Sequence, residues 1–354
     1  MAATTPQPAQ PTPATPPPAF QAMFEVVTNF WLARAVHAAT ELGIPDLLAD
    51  GPRSTAELAA STGTDPRALH RLLRALTATG LFRTDGQGRH HTTALGETLR
   101  TDVPGSLGSF VLMELGEAHH GAWGRLLHSV RSGEPAFEEA NGRKIWEFFE
   151  QTPVMAGHLG RAMTGLTAMV ADAVLAAYDF GPYRRIVDVG GGEGGFLGAI
   201  LTAHPEATGI VLDLPQAVEN GRRRIAEAGL ADRCELTGGD FFEKVPEGGD
   251  LYTMKWVLHD WDDASCVRIL RSCRRAMPEH ARLLIVDTVL PDDDSFSPGK
   301  IIDLNMMVLS GGQERTAEEF RTLLDAAGFT LTRILPTLSP SSAIEAVPTG
   351  APHA

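Results

Sequence analysis

The chain has 354 residues, 43% of them hydrophobic, and a formal net charge of −14 at pH 7. That length favours two domains over one and leaves ample apolar chain for a core in each. The acidic balance argues against a generic nucleic-acid or anionic-membrane partner, and no run of 18 or more apolar residues offers a membrane span.

No basic segment followed by an apolar stretch opens the chain, so no signal peptide is expected and the reading is cytoplasmic. Cys234, Cys266 and Cys273 are an odd set without metal-ligand spacing, and read as small buried hydrophobes in a reducing compartment. Residues 1–19 are nearly all Pro, Ala, Thr and Gln, too polar to offset the entropy of ordering, and read as a disordered tail. From Phe20 to about Leu48 the pattern is helical, with Phe24, Val27, Phe30, Trp31 and Ala35 near helical spacing and Gly43-Ile44-Pro45 as the stop. So much aromatic surface near a terminus fits packing on a second subunit or burial within the chain.

A helix-turn-helix follows. Ser54-Thr55-Ala56-Glu57 is a capping box, Gly63 a turn, and Asp65-Pro66 an N-cap with an N1 proline before the stripe Leu69, Leu72, Leu73, Leu76. Leu81 to Thr93 reads as a hairpin wing. A winged helix invites a DNA-binding reading, but residues 21–100 carry eight arginines against eight acidic residues. A DNA reader needs uncompensated cations to neutralise phosphates, so a dimerisation module is the preferred reading. Residues 105–180 read as mostly helical and rich in Met and aromatic residues, a core or an apolar lining for a flat ligand. The adjacent pairs His90-His91 and His119-His120, without further ligands, read as surface residues.

Ile186 to Val189 is a short apolar run that reads as a buried parallel strand, and it enters three consecutive glycines, Gly190 to Gly192, before a helix-competent stretch. Strand, glycine turn and helix open a doubly wound fold whose ligand sits beyond the carboxyl end of the strand. Two ligands compete. Gly190-x-Gly192-x-x-Gly195, with Asp213 21 residues after Gly192, fits a dinucleotide site. Asp188 and the Gly-Gly-Gly turn also resemble motif I of S-adenosylmethionine-dependent methyltransferases. Further along, Cys234 to Leu236, Leu251 to Trp256 and Arg282 to Thr288 read as strands. Thr316 with Glu319 forms a capping box on a helix reaching Gly328. Phe329 to Leu335 and Ala343 to Val347 read as a closing hairpin.

Taken together, Asp188-Val-Gly-Gly-Gly, Asp213-Leu-Pro, Gly239-Asp240-Phe-Phe, Lys255-Trp-Val-Leu-His259-Asp260-Trp261 and Gly311-Gly-Gln-Glu314-Arg-Thr resemble the small-molecule O-methyltransferase family. Plant caffeate- and isoflavone-type enzymes belong to it, as do bacterial enzymes tailoring aromatic polyketides and phenazines. The likeness runs from about residue 21 to 348. It implies an α/β fold: a class I methyltransferase Rossmann-like doubly wound sheet with an antiparallel last strand, behind an N-terminal winged-helix dimerisation domain. The expected divisions are a tail at 1–19, the dimerisation domain at 20–104, a helical acceptor-pocket region at 105–180, the cofactor domain at 181–348 and a tail at 349–354. The resemblance also implies S-adenosylmethionine as cofactor, no metal, a homodimer, and a small phenolic acceptor in secondary metabolism. N- or C-methylation is the alternative within the family. A DNA-binding regulator or an NAD-dependent oxidoreductase is the alternative outside it.

Methyl transfer from a sulfonium needs in-line placement and removal of the hydroxyl proton. His259 is the candidate base, since an imidazole with a pKa of about 6.5 accepts a proton at neutral pH. The resemblance places Asp287 and Glu314 beside it, Asp287 one carbon shorter than the glutamate of plant members. It also implies Asp188, Gly190, Gly192, Asp213, Leu214, Gly239, Asp240, Phe241, Lys255 and Trp261 around the cofactor. Met113, Phe149, Met155, Met163, Asp260 and Asn305 are implied around the acceptor.

Overall fold

The computed structural model describes residues 18–349; the terminal tails at 1–17 and 350–354 lie outside the described residues. The long first helix, α1 (Ala19–Glu41), is capped by Leu42 and stops before Gly43 as expected; Gly43 is in the left-handed region, and Pro45 sits in the first turn of a new short helix, α2 (Ile44–Leu47). Capping then works as the local residues dictate. Ser54 and Glu57 close a reciprocal box on α3 (Thr55–Thr62), and the Asp65 carboxylate accepts the Ala68 N–H on α4 (Pro66–Ala78). Strands β1 (Phe82–Thr84) and β2 (His90–Thr92) pair antiparallel as the wing, followed by α5 (Ala94–Glu97). Leu58, Leu69, Leu73, Leu76 and Phe82 fill the core of this domain. Much of α1 does not join it: Phe20, Met23, Phe24, Val26, Val27, Phe30 and Trp31 all stay exposed in the single chain.

Six helices come next: α6 (Gly108–Glu114), α7 (Glu117–Trp123), α8 (Leu126–Ser132), α9 (Ala136–Asn141), α10 (Ile145–Gln151) and α11 (Pro153–Ala177). Among the described residues α11 is the one helix long and apolar enough to cross a membrane. Packing accounts for its composition, because Val170, Ala171 and Val174 are buried in the core beneath the main sheet.

The rest alternates strand and helix: β3 (Arg185–Val189), α12 (Gly195–Ala203), β4 (Thr208–Asp213), α13 (Pro215–Glu227), β5 (Cys234–Gly238), β6 (Leu251–Lys255), α14 (Asp263–Ala276) and β7 (Arg282–Asp287). A two-residue strand β8 (Val289–Leu290), helix α15 (Pro298–Leu309), strand β9 (Arg315–Thr316) and helix α16 (Ala317–Ala326) follow. The chain closes with β10 (Phe329–Pro336) and β11 (Ser342–Pro348). The seven-stranded sheet has the order β10-β11-β7-β6-β3-β4-β5. Its first five strands in sequence are parallel, and β11 lies antiparallel to both β7 and β10. The expected strand insertion is therefore present.

Strand alternation sends Val187 and Val189 into a core with α14 and α16, and Ile186 into another with α11 and α12. Both faces are covered, which is why β3 reads as an unbroken apolar run. The sheet grows outward from β3 to β4 and β5, then returns to β6 and β7. That reversal opens a crevice at the carboxyl ends of β3 and β6, so the loops after Val189 and Lys255 face one another. The three cysteines are free and buried, as expected.

Candidate active site

The glycine turn is a shaped cradle. Gly190 has φ +71°, and a Cβ there would come within 2.6 Å of Val257 Cγ2. Gly192, at φ +58°, faces open space. Left-handed backbone of this kind is nearly strain-free only for glycine. Asp213, at the end of β4, pins the turn: Oδ2 accepts the Gly192 N–H at 2.7 Å and Oδ1 the Leu214 N–H at 2.7 Å. Each carboxylate oxygen keeps a second lone pair for a ligand hydroxyl. Asp188 is fully buried, with Oδ1 accepting from the Thr253 hydroxyl at 2.7 Å. Its other oxygen would meet a Cβ on Gly191 at 2.5 Å, so Asp188 forms the floor under the loop and not its open face. Burial pushes its carboxyl up to about 6 against that hydrogen bond.

Gly239 and Asp240 continue the rim beyond β5. The Gly239 N–H donates to the Asp213 carbonyl, and exposed Asp240 accepts the Phe242 N–H at 2.8 Å. Phe241 lies beside Gly190. Trp261 meets Phe242 and Phe241 edge-on at 4.9 and 6.2 Å and stacks on Trp146 at 6.5 Å, joining the cradle to the helical region.

From β6 the chain turns sharply. Trp256 has φ 55°, the one positive-φ residue other than glycine among those described, and its indole N–H donates to Ser341 Oγ at 2.9 Å. A bulky residue held there stores strain that the surroundings must offset. The preceding Lys255 holds its ammonium 4.1 Å from the Trp256 ring. Desolvation lowers it to about 8, opposed by the carboxylates of Asp188, Asp287 and Asp260. It is not the solvent-seeking lysine that a strand end often carries.

A short 3-10 turn over Leu258–Asp260 delivers His259 to the same edge. His259 Nδ1 lies 2.9 Å from Glu314 Oε1 and 3.5 Å from Asp287 Oδ1, and Nε2 lies 3.8 Å from Asp260 Oδ1. The side chains of Glu314 and Asp287 are 1% and 0% exposed. Both Asp287 oxygens and Glu314 Oε2 make no hydrogen bond. Desolvation alone would push the imidazole down, but Asp287, Asp260 and Glu314 outweigh it and hold His259 at about 10. The expectation of an ordinary imidazole is corrected: His259 sits inside a cage of three carboxyls. Burial and mutual repulsion in turn raise Asp287 to about 7 and Asp260 to about 6. Asp260, expected against the acceptor, therefore belongs to the acid cluster as well.

Three residues to which the sequence reading gave no role hold this geometry. Arg315, 1% exposed, donates to the carbonyls of Leu258 at 3.0 Å and Trp261 at 2.9 Å, and to Asp263 at 2.8 Å. A Cβ on Gly312 would fall 1.9 Å from the His259 carbonyl oxygen. Asp303 accepts the Glu314 N–H at 2.9 Å. Residue type alone marks none of these, since their partners lie about 50 residues away in sequence or on another element.

Met113 and Phe149 are buried, and Met155 and Met163 half-buried, in one cluster of α6, α9, α10, α11 and α15. Asn305 joins it by accepting the Trp123 indole N–H at 2.7 Å. Two histidines expected at the surface are buried instead, His90 against Thr55 and His119 inside this aromatic cluster.

A doubly wound sheet with an inserted antiparallel strand, a glycine cradle pinned by an acid, and a caged histidine across the crevice define a class I methyltransferase. Residues 123–330 match the O-methyltransferase domain model and residues 24–102 the O-methyltransferase dimerisation domain model. The chain belongs to the O-methyltransferase family. It is 44% identical to a phenazine O-methyltransferase of Lysobacter antibioticus, over 92% of this chain and 95% of that one. It is 42% identical to the O-demethylpuromycin-O-methyltransferase of Streptomyces alboniger, over 93% and 90%. An 8-amino-8-demethylriboflavin N,N-dimethyltransferase of Streptomyces davaonensis is 37% identical over 90% and 92%. Among solved structures, that of LaPhzM superposes with a TM-score of 0.91 at 44% identity, covering 94% of this chain and 99% of that one. An O-methyltransferase from neocarzinostatin biosynthesis, NcsB1, in complex with S-adenosylmethionine and 2-hydroxy-5-methyl naphthoic acid, superposes with a TM-score of 0.78 at 35% identity, covering 90% of this chain and 96% of that one. The winged helix is thus the family's dimerisation module, and the dinucleotide reading of the glycine turn gives way.

Proposed function

We propose that this protein transfers a methyl group from S-adenosylmethionine to a hydroxyl of an aromatic small molecule in bacterial secondary metabolism, with His259 as general base. The observation that carries the reading is the caged His259 facing the glycine cradle across one crevice. Gly190 and Gly192 let a ligand approach backbone, and Asp213 retains lone pairs for the ribose hydroxyls. Phe241 and Asp240 stand where an adenine would lie, with Leu214 and Gly239 along the same rim. Bound S-adenosylmethionine supplies an electrophilic methyl carbon, whose C–S electron pair returns to sulfur as the acceptor oxygen attacks, and a sulfonium charge that favours loss of the hydroxyl proton.

His259 Nδ1 donates to Glu314 Oε1, which leaves Nε2 to take that proton. The carboxyl cage by itself favours the charged imidazolium; the sulfonium charge of bound S-adenosylmethionine would oppose that charge and bring the ring toward the neutral, proton-accepting form that general-base work needs near the operating pH. Glu314 positions the ring, while Asp287 and Asp260 stabilise the imidazolium that forms. Met113, Phe149, Met155 and Met163 supply an apolar wall for the flat acceptor. The exposed aromatic face of α1 fits a homodimer. The divisions near residues 20, 105 and 181, and a cytoplasmic setting, belong to the same reading.

His259, Asp287 and Glu314 could also gather on a metal ion, since one donor atom of each lies within 4.8 Å of the others. A cation there would consume the Nδ1–Glu314 bond that orients the ring, so the proposed reaction runs without metal and survives chelation by EDTA. The deciding experiment is His259→Ala. It should keep the thermal shift given by S-adenosylhomocysteine, roughly 2.7 kcal/mol at 100 times the Kd, and lose roughly 10²- to 10⁴-fold in rate. The riboflavin-type relative favours N-methylation as a second reading. A ring amine attacks through its free lone pair and needs no prior deprotonation, so near-normal turnover in His259→Ala would select it.

A further inference from the structure

His119 is out of place in a purely apolar cluster. It is 1% exposed, and neither ring nitrogen makes a hydrogen bond. Its ring meets Phe137 and Phe149 edge-on at 5.6 and 6.1 Å, and Nδ1 stops 3.5 Å from Glu114 Oε2. An unsatisfied buried polar side chain costs folding free energy, and a phenylalanine would suit these neighbours better. The polar character continues. Glu114 Oε2 accepts from Asn305 Nδ2 at 3.4 Å, and Asn305 Oδ1 accepts from Trp123 at 2.7 Å. Three helices, α6, α7 and α15, thus bring Glu114, His119, Trp123 and Asn305 together among Met113 and Phe149. One turn of α15 carries both Asn305 and Asp303, the residue that holds Glu314, so this polar chain is anchored to the element that supports the catalytic acids.

Resting on the aromatic-acceptor reading above, we propose that Glu114, His119 and Asn305 form a specificity subsite for a second polar substituent on the acceptor ring. The spare capacity defines its chemistry. Glu114 accepts only, Asn305 keeps one free N–H, and an imidazole offers one donor and one acceptor nitrogen. A hydroxyl, amino or carboxamide group that both donates and accepts satisfies them. A carboxylate is repelled by Glu114.

The test uses the full chain loaded with S-adenosylhomocysteine and calorimetric titration with the naphthols, the dihydroxynaphthalene isomers and the matching hydroxynaphthoates. At least one dihydroxy isomer should bind roughly 10- to 100-fold more tightly than either naphthol, the range of a hydrogen bond to a charged group, and the hydroxynaphthoates should gain nothing. His119→Phe should abolish that preference while retaining the homocysteine adduct. Should this variant fail to fold, Glu114→Gln, which keeps the shape and removes the charge, carries the test and should admit the hydroxynaphthoates. No preference in the wild type, or a loss in the variant that falls equally on naphthols and dihydroxynaphthalenes, overturns the subsite. Failure of the wild type to bind the homocysteine adduct would instead sink the methyltransferase reading.

Discussion

Glu314→Gln isolates what the carboxyl cage does to His259. The substitution keeps the shape beside Nδ1 and removes the charge 2.9 Å away. A hydrogen bond to a charged group contributes about 1.5–3 kcal/mol, and one pKa unit corresponds to 1.36 kcal/mol. Losing it should therefore lower the imidazole by roughly one to two units from its position near 10. The remaining elevation belongs to Asp287 and Asp260. Carbon-13 labelling of histidine Cε1 reads this directly, with the His259 resonance identified by its disappearance in His259→Ala. In the wild type that resonance should titrate well above 6.5, and kcat/KM should still climb with pH beyond neutrality, because the basic form gains population up to the folded pKa. In Glu314→Gln both curves should move to lower pH. A wild-type midpoint near 6.5, or a curve unmoved by the substitution, would refute the cage.

Asp287→Asn should raise Tm at pH 8 while slowing turnover. The folded carboxyl is raised to about 7 by burial, above its unfolded 3.8, so it contributes a stability that is present below about pH 4 and lost as pH rises through 7. Removing the charge removes that loss, and the gain should vanish when melting is repeated near pH 3.5. Gly312→Ala should cost about 1–3 kcal/mol by overpacking and displace the His259 backbone; chemical denaturation and single-turnover rates would show both, and a silent substitution would contradict the 1.9 Å approach. Arg315→Lys should unfold the loop over 258–263 at lower denaturant, since one ammonium cannot reproduce a fork that reaches two carbonyls and Asp263. Wild-type stability and rate in that variant would mean the loop is held otherwise.

Wherever the determinant was local in the chain, the sequence was enough to read it. The capping boxes at Ser54 and Thr316, the proline at N1 of α4, the buried run of β3 and the closing hairpin all depend on neighbours within a few residues. His259 and Glu314 stand in two of the five motifs, and the family resemblance implied Asp287 as well as Glu314 beside His259 before any coordinates. Tertiary structure decided what those partners do to one another. A pKa depends on which charges stand within a few ångströms and on how much water is excluded, so an imidazole expected near 6.5 lies near 10. The same holds for His119. Its neighbour His120 and its polar type gave a surface reading, yet α7 turns it inward among Phe137 and Phe149. Burial belongs to the packing of several helices, and no single stretch of sequence contains it.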